Sequence, residues 1–192
     1  MALLAEELVE EWLNRQGYFT IRGIKLGVHE IDLLAIRPSP NGLECRQFEV
    51  QASIRPVSYI SKVPRDLQRQ SGRAPGSAKT RSDKELRQGI REWIDKKFDH
   101  PEKNRLRRKL ATGSWSRELV IHVVKHEREV ELIQEAGIVV HRLTDIVADL
   151  KKGDLALEGA AGAHLVDLVA IAGVPRTTKP NTRMQQSAYR RR

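Results

Sequence analysis

Sulfur and aromatic side chains are scarce in this sequence. Of its 192 residues one is cysteine (Cys45), two are methionine, and aromatic residues make up 5%. A single cysteine excludes an intramolecular disulfide and any metal site built from several cysteines. The sequence also has no zinc-finger spacing, no aromatic-rich RNA-binding signature and no evident base-reading helix. These absences remove the common modules that read bases in sequence.

A second absence is that of long apolar runs. No charge-free apolar stretch reaches about 18 residues, and no signal peptide is recognisable. We therefore expect no membrane partner and a cytoplasmic location.

Positive charge is abundant. Lysine and arginine number 34 against 25 acidic residues, which gives a net charge of +9. Such an excess favours a polyanionic partner, with nucleic acid first and an acidic membrane second. Many basic proteins bind no polyanion, however, so the position of the charge has to decide.

The hydrophobic pattern predicts an α/β domain over residues 1–172. A helix is expected at 2–16, followed by a meander of strands at 18–22, 30–36 and 43–51. Residues 52–81 show no clear period and are predicted to form mostly loop. From position 173 onward the chain carries six basic residues and no acid, which is typical of a disordered tail.

The second half alternates helices with strands. Ser82 and Glu85 form a capping-box pattern at the start of one helix. The elements expected after it are a short helix at 101–110, a strand at 119–124, a helix at 127–137, a strand at 138–143, a helix capped by Thr144, and an apolar helix from Asp154 to about Ala172. Strands in a meander followed by strands that alternate with helices predict a mixed sheet with helices on both faces.

Acidic residues interrupt two of the predicted buried strands. Asp32 lies in one, and Glu49 in the next, with the amide of Gln51 two residues further on the same face. Two carboxylates on adjacent strands repel each other unless a cation lies between them. Ligands that are all oxygen suit Mg²⁺ or Mn²⁺ better than zinc, and such a metal can activate water next to a phosphoryl group. The alternative is that Asp32 and Glu49 pair with arginines.

The segments "AEELVEEWLNRQGY", "EIDLLAI" and "FEVQAS", within residues 5–53, resemble the PD-(D/E)XK nuclease superfamily, particularly its Holliday-junction-resolvase-like and restriction-endonuclease-like small nucleases. The resemblance implies a restriction-endonuclease-like fold with the core order α-β-β-β-α-β-α-β. It also implies a catalytic site with a helix glutamate at Glu6, a strand aspartate at Asp32 and Glu49 as the first half of a Glu-x-Lys motif.

The sequence departs from that pattern at one position, because Gln51 stands where the family has lysine. A glutamine can orient a water molecule but carries no charge. The resemblance implies that Asp32, Glu49 and the carbonyl of Val50 hold the metal, that Gln51 orients the water, and that Glu6 assists.

Basic residues cluster directly after these strands. Twelve basic and six acidic residues lie between positions 79 and 109, so this span contributes +6 of the +9. The arginines expected to contact DNA phosphates are Arg55, Arg65, Arg69, Arg73, Arg87, Arg91, Arg105, Arg107 and Arg108. Lys84, Lys96 and Lys97 lie among acids and are also compatible with an ordinary solvated helix face.

The sequence therefore predicts a Mg²⁺- or Mn²⁺-dependent DNA endonuclease that acts in repair, recombination or defence. Two alternatives remain open: a nucleic-acid-binding subunit that has the nuclease fold but no turnover, and a nuclease that acts on RNA. Small nucleases of the resembled kind that cut both strands commonly dimerise, so a homodimer is a further expectation.

Overall fold

The computed structural model describes residues 2–53, 55–153, 156–160 and 162–172. Within these ranges the chain forms seven helices and five strands. Their bounds are α1 (Ala2–Arg15), β1 (Phe19–Leu26), β2 (His29–Ser39), β3 (Gly42–Gln51), α2 (Arg65–Ser71), α3 (Asp83–Lys97), α4 (Pro101–Leu110), β4 (Trp115–Ile121), α5 (Glu127–Glu135), β5 (Val139–Arg142), α6 (Leu143–Lys152) and α7 (Ala163–Ala172). The predicted basic tail at 173–192 lies outside the described residues.

The strands form one mixed sheet in the order β1-β2-β3-β4-β5. The first three pair antiparallel, as tight turns between them require. The pairs β3–β4 and β4–β5 are parallel, and helices supply the crossovers. The predicted α/β class, with a mixed sheet flanked by helices, is confirmed.

Helices cover both faces of the sheet. On one face Trp12 and Leu13 of α1 and Ile146 of α6 pack with Phe48 and Val120 of the sheet. On the other face helices α3 and α5 enclose a second core, which contains Ile90, Trp93, Ile133, Leu119 and Ile121. Alternation along β4 therefore sends successive side chains into two different cores, with Val120 in the first and Leu119 and Ile121 in the second.

Helix α3 starts as the sequence predicts. The Ser82 side chain accepts the N–H of Glu85, and the Glu85 carboxylate accepts the N–H of Ser82. Further along, Gly89 brings the helix against the preceding loop. A β-carbon at Gly89 would lie 2.8 Å from the carbonyl oxygen of Lys62 and 3.0 Å from the hydroxyl of Ser61. Only glycine allows so close an approach.

Helix α4 packs on the sheet in an unusual way. Its buried residues are Lys103 and Arg107, two cations, while Leu110 at its end is exposed. Hydrogen bonds rather than apolar area therefore hold this helix in place. It lies on the same side of the sheet as α3, and it brings positive charge to the polar residues of β3.

A charged cluster is buried on the α1 side of the sheet. Glu118 of β4, which is 2% exposed, accepts hydrogen bonds from the Arg46 guanidinium, with Nε at 2.6 Å from Oε1. Its other oxygen lies 2.6 Å from Nε2 of His141. Burial alone would raise the pKa of Glu118, but the hydrogen bonds from His141 and Arg46 and the charge of Arg46 outweigh it and lower the pKa to about 2.

Several predicted boundaries were wrong. The strand expected at 119–124 runs from Trp115 to Ile121, and Val124 forms only an isolated bridge to Val57. Helix α6 begins at Leu143 without a side-chain cap, so Thr144 is not its cap. Residues 156–160 are not helical, and α7 begins only at Ala163; Asp154, the expected start, lies outside the described residues.

Two elements differ in extent from their predictions. The first strand continues to Leu26, and the loop at 52–81 contains the short helix α2. Among the described residues no helix combines the length and the apolar character needed to cross a bilayer.

Candidate functional site

Asp32 and Glu49 lie on the same face of the sheet on adjacent strands. The backbone pairing of β2 with β3 ends at the partners Leu33 and Phe48, one residue short of both acids. Beyond that point the Asp32 carboxylate accepts the backbone N–H of Val50 at 2.8 Å, in place of a main-chain acceptor. The predicted juxtaposition of the two carboxylates is therefore present in the structure.

Both carboxylates are poor sites for an isolated negative charge. Glu49 is 2% exposed, and its pKa is raised first by burial and then by the charge of Asp32. The pKa of Asp32 is also raised by burial, although the Val50 N–H acts in the opposite direction. A buried carboxylate whose pKa is raised by a second carboxylate nearby binds a cation or a proton readily.

The cation that contacts Glu49 in this structure is Lys97, in the last turn of α3. Its ammonium group pairs with Oε1 of Glu49, and the amide of Gln51 donates to the same oxygen at 3.2 Å. Lys97 is therefore more than part of a solvated helix face. The alternative of ion pairing for the strand acids is realised for Glu49, but with a lysine rather than an arginine.

A second lysine reaches the same region from α4. Lys103 is 1% exposed, and its Nζ donates to the Lys97 carbonyl at 2.8 Å. Burial lowers the pKa of Lys103, while the negative charges of Glu49 and Asp32 act to raise it. An ammonium group held at a cost in desolvation near two carboxylates is typical of functional sites.

No local pattern in the sequence indicates that these lysines belong to the site. They lie 48 and 54 positions after Glu49 in the chain, on two helices whose docking depends on tertiary contacts. A buried lysine in the otherwise polar helix α4 was recognisable only once the helix was placed. Lys97 and Lys103 thus bring positive charge to the site from α3 and α4, whereas position 51 holds an uncharged glutamine.

Gln47 extends this site along β3. Its amide donates to the Lys97 carbonyl at 3.0 Å, and its Oε1 accepts Nη1 of Arg107 at 2.7 Å. Arg107 also donates to the Phe98 carbonyl at 3.0 Å. Arg107, which is 8% exposed, thus lies inside the fold and not on the open surface expected for a phosphate contact.

Glu6 lies on α1 and is partly buried. Its pKa is raised first by burial and then by the charges of Asp32 and Glu30. Glu6 is therefore near enough to Asp32 to interact with it electrostatically, although no hydrogen bond joins them among the described residues.

The donor set is compatible with a hard divalent cation. Asp32 Oδ1 and Glu49 Oε2 accept no hydrogen bond from any described residue, so each carboxylate retains one oxygen as a ligand. Mg²⁺ commonly uses one or two carboxylates and keeps several waters. Among the described residues, however, no group of three or more His, Cys, Asp or Glu side chains is arranged to hold a metal. The fit thus rests on two carboxylates and the Val50 carbonyl.

The other arginines expected at DNA fall into two groups. Arg55, Arg65, Arg91, Arg105 and Arg108 are exposed, and their side chains form no ion pair within the described part of the chain. The remaining three have acidic partners: Arg69 lies 3.7 Å from Asp66, Arg73 lies 3.5 Å from Glu85, and Arg87 lies 2.7 Å from Glu135. The first group is the one available to phosphates.

Comparison with known proteins gave no match: no family model, no curated protein and no solved structure is similar to this chain.

Proposed function

We propose that this protein is a metal-dependent DNA endonuclease that hydrolyses phosphodiester bonds. The observation that carries the proposal is the pair of adjacent carboxylates of Asp32, which is partly buried, and Glu49, which is buried, beside two helix-borne ammonium groups. A site with two carboxylates and two cations can both bind a divalent metal and neutralise a phosphate. The resemblance of residues 5–53 to PD-(D/E)XK nucleases supports the same function, and with it a restriction-endonuclease-like version of the α/β fold.

The residues that would hold Mg²⁺ or Mn²⁺ are Asp32, Glu49 and the carbonyl of Val50. Such a metal, when bound, lowers the pKa of water and stabilises charge on a phosphoryl group. The Gln51 amide, which now donates to Glu49, would orient the attacking water.

Lys103 and Lys97 take the electrostatic role that Gln51 cannot fill. A buried ammonium group stabilises the negative charge that develops on the phosphate more strongly than a solvated one, because little water screens it. A divalent metal held by Asp32 and Glu49 would neutralise these carboxylates, and the ammonium group of Lys97 would then be available to the substrate.

The second candidate function is that of a nucleic-acid-binding subunit that has no catalytic activity. The ion pair between Lys97 and Glu49 favours it, because that pair already neutralises one of the two carboxylates. In this case Gln51 and Lys97 would serve only to stabilise the fold.

A nicking assay on supercoiled plasmid separates the two functions. The wild-type chain is incubated with Mg²⁺, with Mn²⁺ and with EDTA, together with Asp32→Asn, Glu49→Gln and the control Glu44→Gln. Glu44 lies on the same strand and also has partners, Tyr18 and Arg37, but it is remote from the site. Metal-dependent nicking that only the first two variants lose supports the endonuclease. Wild-type nicking by both Asp32→Asn and Glu49→Gln would refute the site.

A further inference from the structure

The structure contains a second polar site, a pocket at the other end of β3 and β4. It has a volume of about 390 Å³ and lies beside the end of α4, the turn that follows it, and the start of β4. We call it the arginine pocket. The residues that line it are Asp99, Asn104, Arg107, Arg108, Gly113, Trp115 and Arg117.

The charges around the arginine pocket do not balance. Asp99 is its only carboxylate among the lining residues, and it accepts Nη1 of Arg117 at 3.0 Å. The same carboxylate lies 4.0 Å from Nη2 of Arg107, whose hydrogen bonds otherwise go to neutral oxygens. Arg108 has no ion pair within the described part of the chain. Three guanidinium groups therefore share one negative charge, which leaves a formal surplus of two positive charges.

The chemistry of the pocket is that of a phosphate site. Guanidinium groups present fixed pairs of N–H donors that match phosphate oxygens, and they stay charged at every physiological pH. Trp115 adds an apolar wall against which a sugar or a base can lie. A carboxylate ligand would satisfy the same charges less completely, because it carries a single negative charge.

The arginine pocket is joined to the Asp32–Glu49 site through Gln47 and Lys97. Gln47 accepts Nη1 of Arg107 and donates to the Lys97 carbonyl, and Lys97 pairs with Glu49. Gln47 and Glu49 are two residues apart on one face of β3, which corresponds to about 7 Å. The two sites thus adjoin each other along β3.

We propose that the arginine pocket binds a phosphate group of the nucleic-acid strand, to one side of the Asp32–Glu49 site. This inference rests on the proposed nucleic-acid substrate, but not on metal binding or on turnover. Phosphate binding in the pocket would fix the position of the nucleic-acid strand relative to β3, because Arg107 of the pocket is hydrogen-bonded to Gln47. Arg108 and Arg117 are the residues that contact the phosphate from the exposed side.

Binding without metal tests the inference. Fluorescence anisotropy in EDTA measures the affinity of a labelled single-stranded oligonucleotide for the wild-type chain, Arg108→Gln, Arg117→Gln and Lys109→Gln. Lys109 is a matched control because it is exposed on the same helix, loses the same charge and does not line the pocket. Loss of a charge-assisted contact predicts about a tenfold decrease in affinity for the two pocket variants and less than about a twofold decrease for the control.

The indole N–H resonance of Trp115, assigned with Trp115→Phe, locates the bound group. We expect it to shift saturably with the oligonucleotide, and more weakly with inorganic phosphate. Saturation by inorganic phosphate at the same concentration as the oligonucleotide would overturn the strand assignment and show a site for small phosphate compounds. Arg108 has no ion-pair partner among the described residues, so Arg108→Gln decides the matter even if Arg117→Gln is unstable. Equal affinities of Arg108→Gln and Lys109→Gln would overturn the proposal.

The two proposals fail separately. Loss of affinity in the pocket variants without any plasmid nicking leaves the arginine pocket intact and favours the subunit without turnover. Nicking that depends on Asp32, with pocket variants that bind as well as the control, leaves the endonuclease intact and refutes the pocket.

Discussion

The ammonium group of Lys97, at the end of α3, forms an ion pair with the carboxylate of Glu49, near the end of β3. The pair joins a helix to a strand of the sheet that it covers, and its ammonium group contacts the same Glu49 oxygen as the Gln51 amide. Several expectations about stability and activity depend on it.

Replacement of Lys97 by methionine leaves a buried carboxylate without its partner. Breaking a fully buried pair costs about 3–5 kcal/mol. Since the Lys97 side chain is 29% exposed, water compensates part of this cost, and we expect a loss of about 1–3 kcal/mol at neutral pH. Urea denaturation of Lys97→Met and of the neighbouring Lys96→Met measures the difference. Lys96 is exposed, so its replacement should change stability by less than about 0.5 kcal/mol.

Replacement of Lys103 by methionine separates catalysis from stability. Methionine has a similar length and removes a charge that is costly to bury, but it also removes the hydrogen bond to the Lys97 carbonyl, so the free energy of unfolding should change by less than about 1 kcal/mol. Nicking of plasmid should fall by at least about tenfold, because the phosphate loses a buried cation. A variant that nicks normally, or one that is strongly destabilised, would show that Lys103 serves the fold alone.

Gln51→Lys restores the residue that the resembled family has at this position. The new ammonium group would have Glu49 and Asp32 nearby to offset its desolvation. We expect metal-dependent nicking to be retained or raised. If a thermal melt shows that this variant unfolds, Gln51 is a packed neutral residue and its assigned role at the water is wrong.

The buried cluster of Glu118, Arg46 and His141 predicts that the free energy of unfolding decreases at low pH. The pKa of Glu118 is about 2 in the folded chain, below its ordinary 4.5, because hydrogen bonds from His141 and Arg46 and the charge of Arg46 overcome the effect of burial. A lowered pKa contributes stability that is complete above about pH 5 and is lost as the pH falls toward 2. The shift corresponds to about 2–4 kcal/mol. Urea titrations between pH 6 and pH 3 should show a weaker pH dependence in Glu118→Gln than in the wild type.

Gly89→Ala tests the contact between α3 and the loop before it. Alanine usually stabilises a helix relative to glycine, by up to about 1 kcal/mol. Here its β-carbon would lie 2.8 Å from a backbone oxygen, so we expect a net loss of about 1–3 kcal/mol. Gly76→Ala is the control, since a β-carbon there would meet nothing within 4 Å. If both variants unfold at the same temperature as the wild type, the loop at Ser61 and Lys62 can move away from the new β-carbon without a loss of stability.

The parts of the fold that could be predicted from the sequence have local causes. The capping box at Ser82 and Glu85 fixes the start of α3, and alternation along β3 places Glu49 and Gln51 on one face. The class of the fold followed from the order of these elements. The helix expected from Asp154 failed because an apolar composition does not determine where a helix begins.

Only the part of the candidate site that lies on the strands β2 and β3 could be predicted from the sequence. Asp32 and Glu49 are near each other in sequence and lie on adjacent strands, so their approach follows from one tight turn. Lys97, Lys103 and Arg107 reach the site through the docking of α3 and α4, which no local pattern specifies. For Arg107 the charge indicated a surface contact, whereas its hydrogen bonds with Gln47 and Phe98 place it inside.

The cations buried beneath α4 also bear on how the chain opens. A helix that is held by Lys103 and Arg107, and not by a layer of leucines, gains little from the hydrophobic effect and separates from the sheet at a small cost in free energy. Its amide protons should exchange with solvent earlier than those of α3, whose Ile90 and Trp93 lie in a core. Such a breathing motion would uncover Gln47 and Glu49 together while the five strands remain paired.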